Sequence, residues 1–203
     1  MKKLFLMCDS PYQKIPSAVA PEDAPLPYEL IDNLENVMEI PFNFTLKNMV
    51  FKKGGFIYND DFSKYERIWG DCQLNSYARV MVSPVLRTVI EDNLKGGECF
   101  RWITCNIIHG EECRKYYTPF FTKQLDVLDA KHCDYGNREP MLENMIKPVF
   151  CARKIESIAM FSCPTSFNLW KMPSAFYVSD EMRKAIKKAG FKGIDFEQAA
   201  LVE

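Results

Sequence analysis

Hydrophobic and polar positions along this chain form short strand-like runs, with only brief stretches of helical period. Leu4-Phe5-Leu6-Met7 is an apolar run between Lys2-Lys3 and Asp9-Ser10-Pro11, and it predicts a buried strand, edge or central. Pro11, Pro16, Pro21, Pro25 and Pro27 follow. Each proline removes a donor and restricts its predecessor, so an extended segment packed over the surface is expected there. Leu30 to Met38 has room for one short helix or strand. Phe42, Phe44 and Leu46 then alternate with polar residues, Gly54-Gly55 marks a turn, and Phe56-Ile57-Tyr58 resumes, which predicts a hairpin.

The clearest pattern is a weak internal repeat. Arg79-Val80-Met81-Val82 reads as a strand that meets Ser83-Pro84, then a helical stripe of Val85, Leu86, Val89, Ile90 and Leu94, closing at Gly96-Gly97. Phe176-Tyr177-Val178 meets Ser179-Asp180-Glu181, then Met182, Ala185, Ile186 and Ala189, closing at Gly190. In each unit the serine suits an N-cap, because its oxygen can accept from a first-turn amide that has no partner within the helix. Pro84 lacks such an amide, and Asp180 with Glu181 favours the positive end of the helix dipole. Lys187 and Lys188 suit the negative end, and Gly190 suits a left-handed cap that would bring Phe191 onto Ile186. Extended segments follow each helix, from Cys99 to Ile107 and over Ile194-Asp195-Phe196.

Val149 to Phe161 is rich enough in β-branched and aromatic residues for one or two strands. The expected class is α+β, a mixed and mainly antiparallel sheet with a few short helices and two strand–Ser–helix–Gly–strand units. Residues 1–75 are read as a proline-rich extended segment and hairpin packed on the core, and residues 76–203 as the α+β domain.

Composition narrows the classes. With 15 Phe, 9 Tyr and 3 Trp beside a net charge of -1, the chain is not intrinsically disordered. A pI of 6.2 does not fit a dedicated nucleic-acid binder, whose affinity rests on a basic surface. The first 75 residues carry 8 Lys and Arg against 11 Asp and Glu, the remainder 18 against 16. No stretch approaches the ~18 consecutive apolar residues that span a membrane, and the four-residue apolar start is shorter than the about 7–15 of a signal peptide. A mature chain beginning at Met1 is therefore expected. Eight cysteines without a Cys-x-x-Cys pair and without an export signal read as reduced, mostly buried thiols of a cytoplasmic protein.

Candidate chemistry is sparse. Cys99, Cys105, His109 and Cys113 have gaps of five, three and three residues on a strand-like segment, which does not suit a zinc knuckle. His132 and Cys133 are neighbours that an extended chain points apart, against a thiolate–base pair. Asp60-Asp61 and Glu111-Glu112 are carboxylate pairs in polar surroundings, where nothing predicts the desolvation that would raise their pKa. No metal site is expected among them, and no catalytic constellation stands out.

The run Val82-Ser83-Pro84-Val85-Leu86-Arg87, its helix, and Cys99-Phe100-Arg101-Trp102-Ile103 resemble the first half of a bacterial immunity-protein domain that accompanies polymorphic toxins and was long classed as a domain of unknown function. Tyr116-Tyr117 and Leu125-Asp126-Val127-Leu128-Asp129 look like that family's central segment. Val178-Ser179 through Gly193-Ile194-Asp195-Phe196 looks like its closing helix and strand. The resemblance covers about residues 76–199. It departs from the family at Arg101, where an acidic or polar residue is common, and at the missing proline that often ends the next strand.

This resemblance implies a cytoplasmic protein that binds and neutralises one cognate toxin from a neighbouring gene. It implies no catalysis and no cofactor, and it leaves self-association open. Toxins acting on nucleic acids are often basic around the active cleft, so acidic loops bearing aromatics are the expected toxin-binding residues. Asp60, Asp61, Tyr65 and Glu66 form one such group, and Glu111, Glu112, Tyr116 and Tyr117 the other. The alternatives are a small-metabolite enzyme using a cysteine or carboxylate, and a non-enzymatic adaptor.

Overall fold

The computed structural model describes residues 3–10 and 14–203. The expected start at Met1 and the first proline, Pro11, lie outside the described residues. The architecture is α+β, built on two main sheets whose strands pair mostly antiparallel.

The first apolar run forms β1 (Leu4–Asp9), and it is a central strand. It pairs antiparallel with β9 (Ala175–Ser179) on one side and β10 (Ile194–Gln198) on the other, and β8 (Met160–Phe161) completes the order β10-β1-β9-β8. The second sheet has the order β2-β3-β5-β6, from β2 (Ser17–Val19), β3 (Glu39–Lys52), β5 (Phe100–His109) and β6 (Glu112–Phe121). Here β3 and β5 run parallel. The expected hairpin is present: the far half of β3 pairs with β4 (Gly55–Asn59), from Asn48↔Asn59 to Lys52↔Gly55. The Val149–Phe161 region supplies β7 (Val149–Cys151) and β8, and β7 pairs parallel with β11 (Ala200–Val202).

The period of two along these strands divides the core. On β5, Ile103, Cys105 and Ile107 face one cluster with Phe44, Leu46, Tyr116 and Phe120, while Trp102 faces another with Phe121. On β1, Phe5 and Met7 enter that same second cluster, between the sheets, whereas Leu4 faces a third with Phe150, Phe161 and Tyr177.

The two serine units meet at the middle of the molecule. Helix α2 (Pro84–Glu91) and helix α3 (Asp180–Lys188) pack on each other, with Leu86, Ile90, Met182 and Ile186 in the cluster between the sheets. Their caps are the same: Ser83 and Ser179 both stand at φ -65, ψ 161, and accept from Leu86 N–H at 3.3 Å and Met182 N–H at 3.2 Å. Gly190 takes φ 77 and donates to the Lys187 carbonyl, and Phe191 packs against the cluster that holds Ile186.

One expectation fails. Arg79–Val82 is not a strand. Val82 exchanges both backbone hydrogen bonds with Tyr117, and the bonds from Ser83 N–H to the Asp71 carbonyl and from Gln73 N–H to the Met81 carbonyl bridge it to Cys72. This pairing is one residue long, and α2 opens at Pro84. The expected element at Leu30 to Met38 is helix α1 (Pro27–Asn33), which begins earlier because Pro27 occupies its first turn and Glu29 accepts from Leu26 N–H. Arg101, the departure from the family pattern, donates to the Leu34, Glu35 and Val37 carbonyls and lies over the Phe120 ring at 4.6 Å, satisfying carbonyls just past the end of α1.

Candidate functional site

The two acidic groups lie near one another on one side of the second sheet. Strands β5 and β6 join through Gly110-Glu111, with Gly110 at φ 58 in the first central position, so Glu111 sits at the tip and Glu112 opposite His109. The loop after β4 runs past this tip. Its Phe62 ring meets the His109 ring edge-on at 4.6 Å, and its Trp69 donates the indole N–H to Glu112 Oε2 at 3.2 Å. These two contacts, which sequence reasoning did not single out, bring the groups together. Aromatic residues in a polar loop are the signal that could have flagged them.

The loop itself is held by short-range hydrogen bonds. Tyr65 donates its hydroxyl to Asn48 Oδ1 at 2.8 Å, and Asn48 donates to Asn59 Oδ1. Asp61 accepts from Ser63 N–H and Oγ–H at 3.0 and 2.6 Å, which holds its carboxyl below the usual range. Neighbouring hydrogen bonds thus fix where Asp60 and Asp61 stand.

The charge of this face is mixed rather than acidic. Asp60 pairs with Lys47 at 2.8 Å. Glu66 lines a hollow of about 570 Å³ with Lys14, Lys64, Arg67 and Lys192, so its surroundings are cationic. Glu112 pairs with Arg114 at 2.6 Å, and this guanidinium, with the Trp69 indole, holds its carboxyl below the ordinary value. Arg114 also covers the Trp69 ring at 4.5 Å. Asp61 and Glu111 are exposed and have no ion-pair partner among the described residues.

Tyr116 and Tyr117 part company. They are adjacent on β6 and therefore face opposite sides of the sheet. Tyr116 is only 2% exposed, stacks on Trp69 with ring centroids 6.3 Å apart, and donates its hydroxyl to the Gly70 carbonyl at 2.8 Å. Burial pushes its phenol well above the ordinary value. It supports the loop from beneath. Tyr117 packs on the cluster between the sheets with Arg87 over its ring at 4.3 Å, away from the acidic pairs. Tyr65 is half-buried, and Asp60, Asp61, Glu66, Glu111 and Glu112 are exposed.

Residues 59–201 match the immunity protein family Imm11. The chain belongs to this family. The matched stretch contains both serine units, the whole β5–β6 hairpin and the loop bearing Asp60 to Glu66. It reaches further toward the N-terminus than the resemblance read from the sequence. No curated protein matches the chain. Among the described residues of this Imm11 chain, no helix is long and apolar enough to cross a membrane.

Cys133, His132 and the Glu111-Glu112 pair, the groups of the enzyme alternative, stand apart from one another in their contacts. The Cys133 thiol donates to the Val149 carbonyl and accepts from Val149 N–H, which ties it into the backbone beside β7. His132 turns away from it, with Nδ1 2.9 Å from Asp129. Both glutamates of the Glu111-Glu112 pair stand in solvent.

Proposed function

We propose that this protein is an immunity protein that binds one cognate bacterial toxin stoichiometrically and blocks it, without catalysing a reaction and without a cofactor. Membership of the immunity family carries the reading. The partner is a toxin domain encoded by a neighbouring gene of a polymorphic-toxin locus, and the binding takes place in the cytoplasm of the producing cell.

The face formed by the loop after β4 and the β5–β6 tip supports a location for that binding. It presents exposed carboxylates on a framework that hydrogen bonds and ring contacts hold in place, so little ordering is needed on association. Asp61 and Glu111 carry free charge, which favours encounter with a basic surface. Trp69 and Tyr65, partly covered and rigid, are suited to act as anchors beneath it.

Co-purification with the protein encoded immediately upstream, then titration of the pair in a calorimeter, tests this. Nanomolar affinity together with survival of cells expressing the toxin is the expected result. Alanine at Asp60, Asp61, Glu111 and Glu112 should weaken binding and flatten its salt dependence. A well-folded protein that neither binds nor protects would overturn the reading.

A further inference from the structure

The β3–β4 hairpin extends past its sheet. The near half of β3 pairs with β2 and β5, but the far half, from Asn48, pairs only with β4, and β4 has no second neighbour. A two-stranded ribbon is marginal in water unless something covers it. Beyond its base, where Asn48 is buried and accepts from the Tyr65 hydroxyl, this one lies open: Phe51 is 74% exposed, Phe56 57%, Ile57 46% and Tyr58 40%.

Register places these side chains on both faces. Phe51 opposes Phe56 and Met49 opposes Tyr58 on one face, while Val50 opposes Ile57 on the other. The Phe51 and Phe56 rings meet edge-on at 5.4 Å. At about 200 Å² for a whole aromatic side chain, Phe51, Phe56, Ile57 and Tyr58 together expose on the order of 400 Å² over the two faces. Most of it lies on the face of Phe51, Phe56 and Tyr58, which alone is of the size of apolar patches that often mark interaction sites.

The geometry points to this hairpin being a plug that enters an apolar cleft of the cognate toxin, with carboxylates at the cleft's closed end. The inference rests on the proposed immunity reading and adds a second contact to it. Three observations select that occupant. Pairing with a second copy along β4 would satisfy the open strand edge yet leave both apolar faces in water, whereas a cleft covers both. The patch is also about half of the roughly 800 Å² per partner that a stable interface buries, so two hairpins alone do not make a dimer. Third, the tip is cationic: Lys52 and Lys53 are exposed and have no ion-pair partner among the described residues. The hairpin leads directly into the loop that carries Asp60 and Asp61, so both contacts fall on one continuous stretch of chain.

The test titrates the full chain against the protein encoded by the adjacent toxin gene. The variants are Phe51→Ser with Phe56→Ser, and separately Lys52→Glu with Lys53→Glu. The serine pair should weaken binding by about 100-fold or more, in the range of buried aromatic anchors, with the unfolding transition unchanged. The glutamate pair should weaken it by about 10-fold and reduce its salt dependence without disturbing the hairpin. Wild-type affinity in both variants, with alanine at Asp60 and Asp61 still weakening the complex, would overturn the plug and leave the immunity reading standing. Failure of the unaltered chain to bind would remove both. A dimer in sedimentation that the serine pair abolishes would identify a second copy as the occupant and also overturn the inference.

Discussion

Gly97 lies against Ser157 so closely that a Cβ on the glycine would stand 2.4 Å from the Ser157 carbonyl oxygen. Gly97 N–H donates to that same carbonyl at 3.0 Å, and the next residue, Glu98, accepts from Ala159 N–H at 2.6 Å. The link after α2 is thereby tied to the chain entering β8. Gly96 is a glycine for a different reason: it takes φ 90, with open space around it.

Gly97→Ala should therefore destabilise by about 2 kcal/mol or more, because the obstacle is backbone and cannot swing aside. Gly96→Ala should cost about 1–2 kcal/mol through conformation alone. Denaturant unfolding of the two variants checks both values. A Gly97→Ala protein as stable as the parent would show that the chain entering β8 can move away from Gly97.

The cysteines should react in two classes. Cys113 is exposed on β6, whereas Cys72 and Cys105 are buried and burial pushes their thiols far up. Cys163, mostly buried, is pushed up to about 12. A disulfide reagent applied to native protein should label Cys113 first, with Cys72 and Cys105 reacting only on unfolding. Cys113→Ser should remove the first phase. Early labelling of Cys105 would contradict its place in the core.

Acid should weaken the start of α3. Asp180 lies 2.8 Å from Lys184 and 2.6 Å from Arg183, and these partners hold its carboxyl below the ordinary value. A folded pKa below the unfolded one contributes stability above the unfolded value, and that contribution is lost as pH falls through the folded value. Asp180→Asn should cost about 0.5–1 kcal/mol at neutral pH, counting the ion pairs and the helix dipole. As pH falls below the ordinary carboxylate value and Asp180 protonates, the variant and parent should converge. Thermal unfolding across pH 2–7 gives the comparison, and a difference that persisted at pH 2 would place the effect elsewhere.

Much of the fold was legible because its signals are local. Val178-Ser179 followed by two acids, a stripe and Gly190 specifies α3 without help from distant residues, and Phe42 to Tyr58 specifies its own hairpin. The parallel pairings of β3 with β5 and β7 with β11 join segments far apart in sequence, and no local pattern encodes them. Arg79–Val82 has strand composition, yet its backbone partners allow only a bridge. The placement of the candidate residues was legible in outline only. Tyr116 and Tyr117 read as one aromatic pair until β6 is known to be a strand, after which the period of two must separate them. The surroundings of Glu66 could not be read at all, since Lys14 and Lys192 line the same hollow from opposite ends of the chain.

The shared cap of Ser83 and Ser179 makes a prediction about coupling. Each serine satisfies one first-turn amide, so Ser83→Ala and Ser179→Ala should each cost about 1 kcal/mol. The second loss should be the larger, because Ser179 is buried and terminates the central strand β9, whereas Ser83 is half-buried at the end of an isolated bridge. Since α2 and α3 pack on each other, loosening one first turn shifts the surface on which the other rests. The double variant should then lose an amount that differs from the sum by about 0.5 kcal/mol or more, as for residues that share a packed contact. Chemical denaturation of the four proteins in the cycle supplies the coupling. Strict additivity would mean that each helix is fixed by its own strand and that the contact between the helices carries none of the coupling.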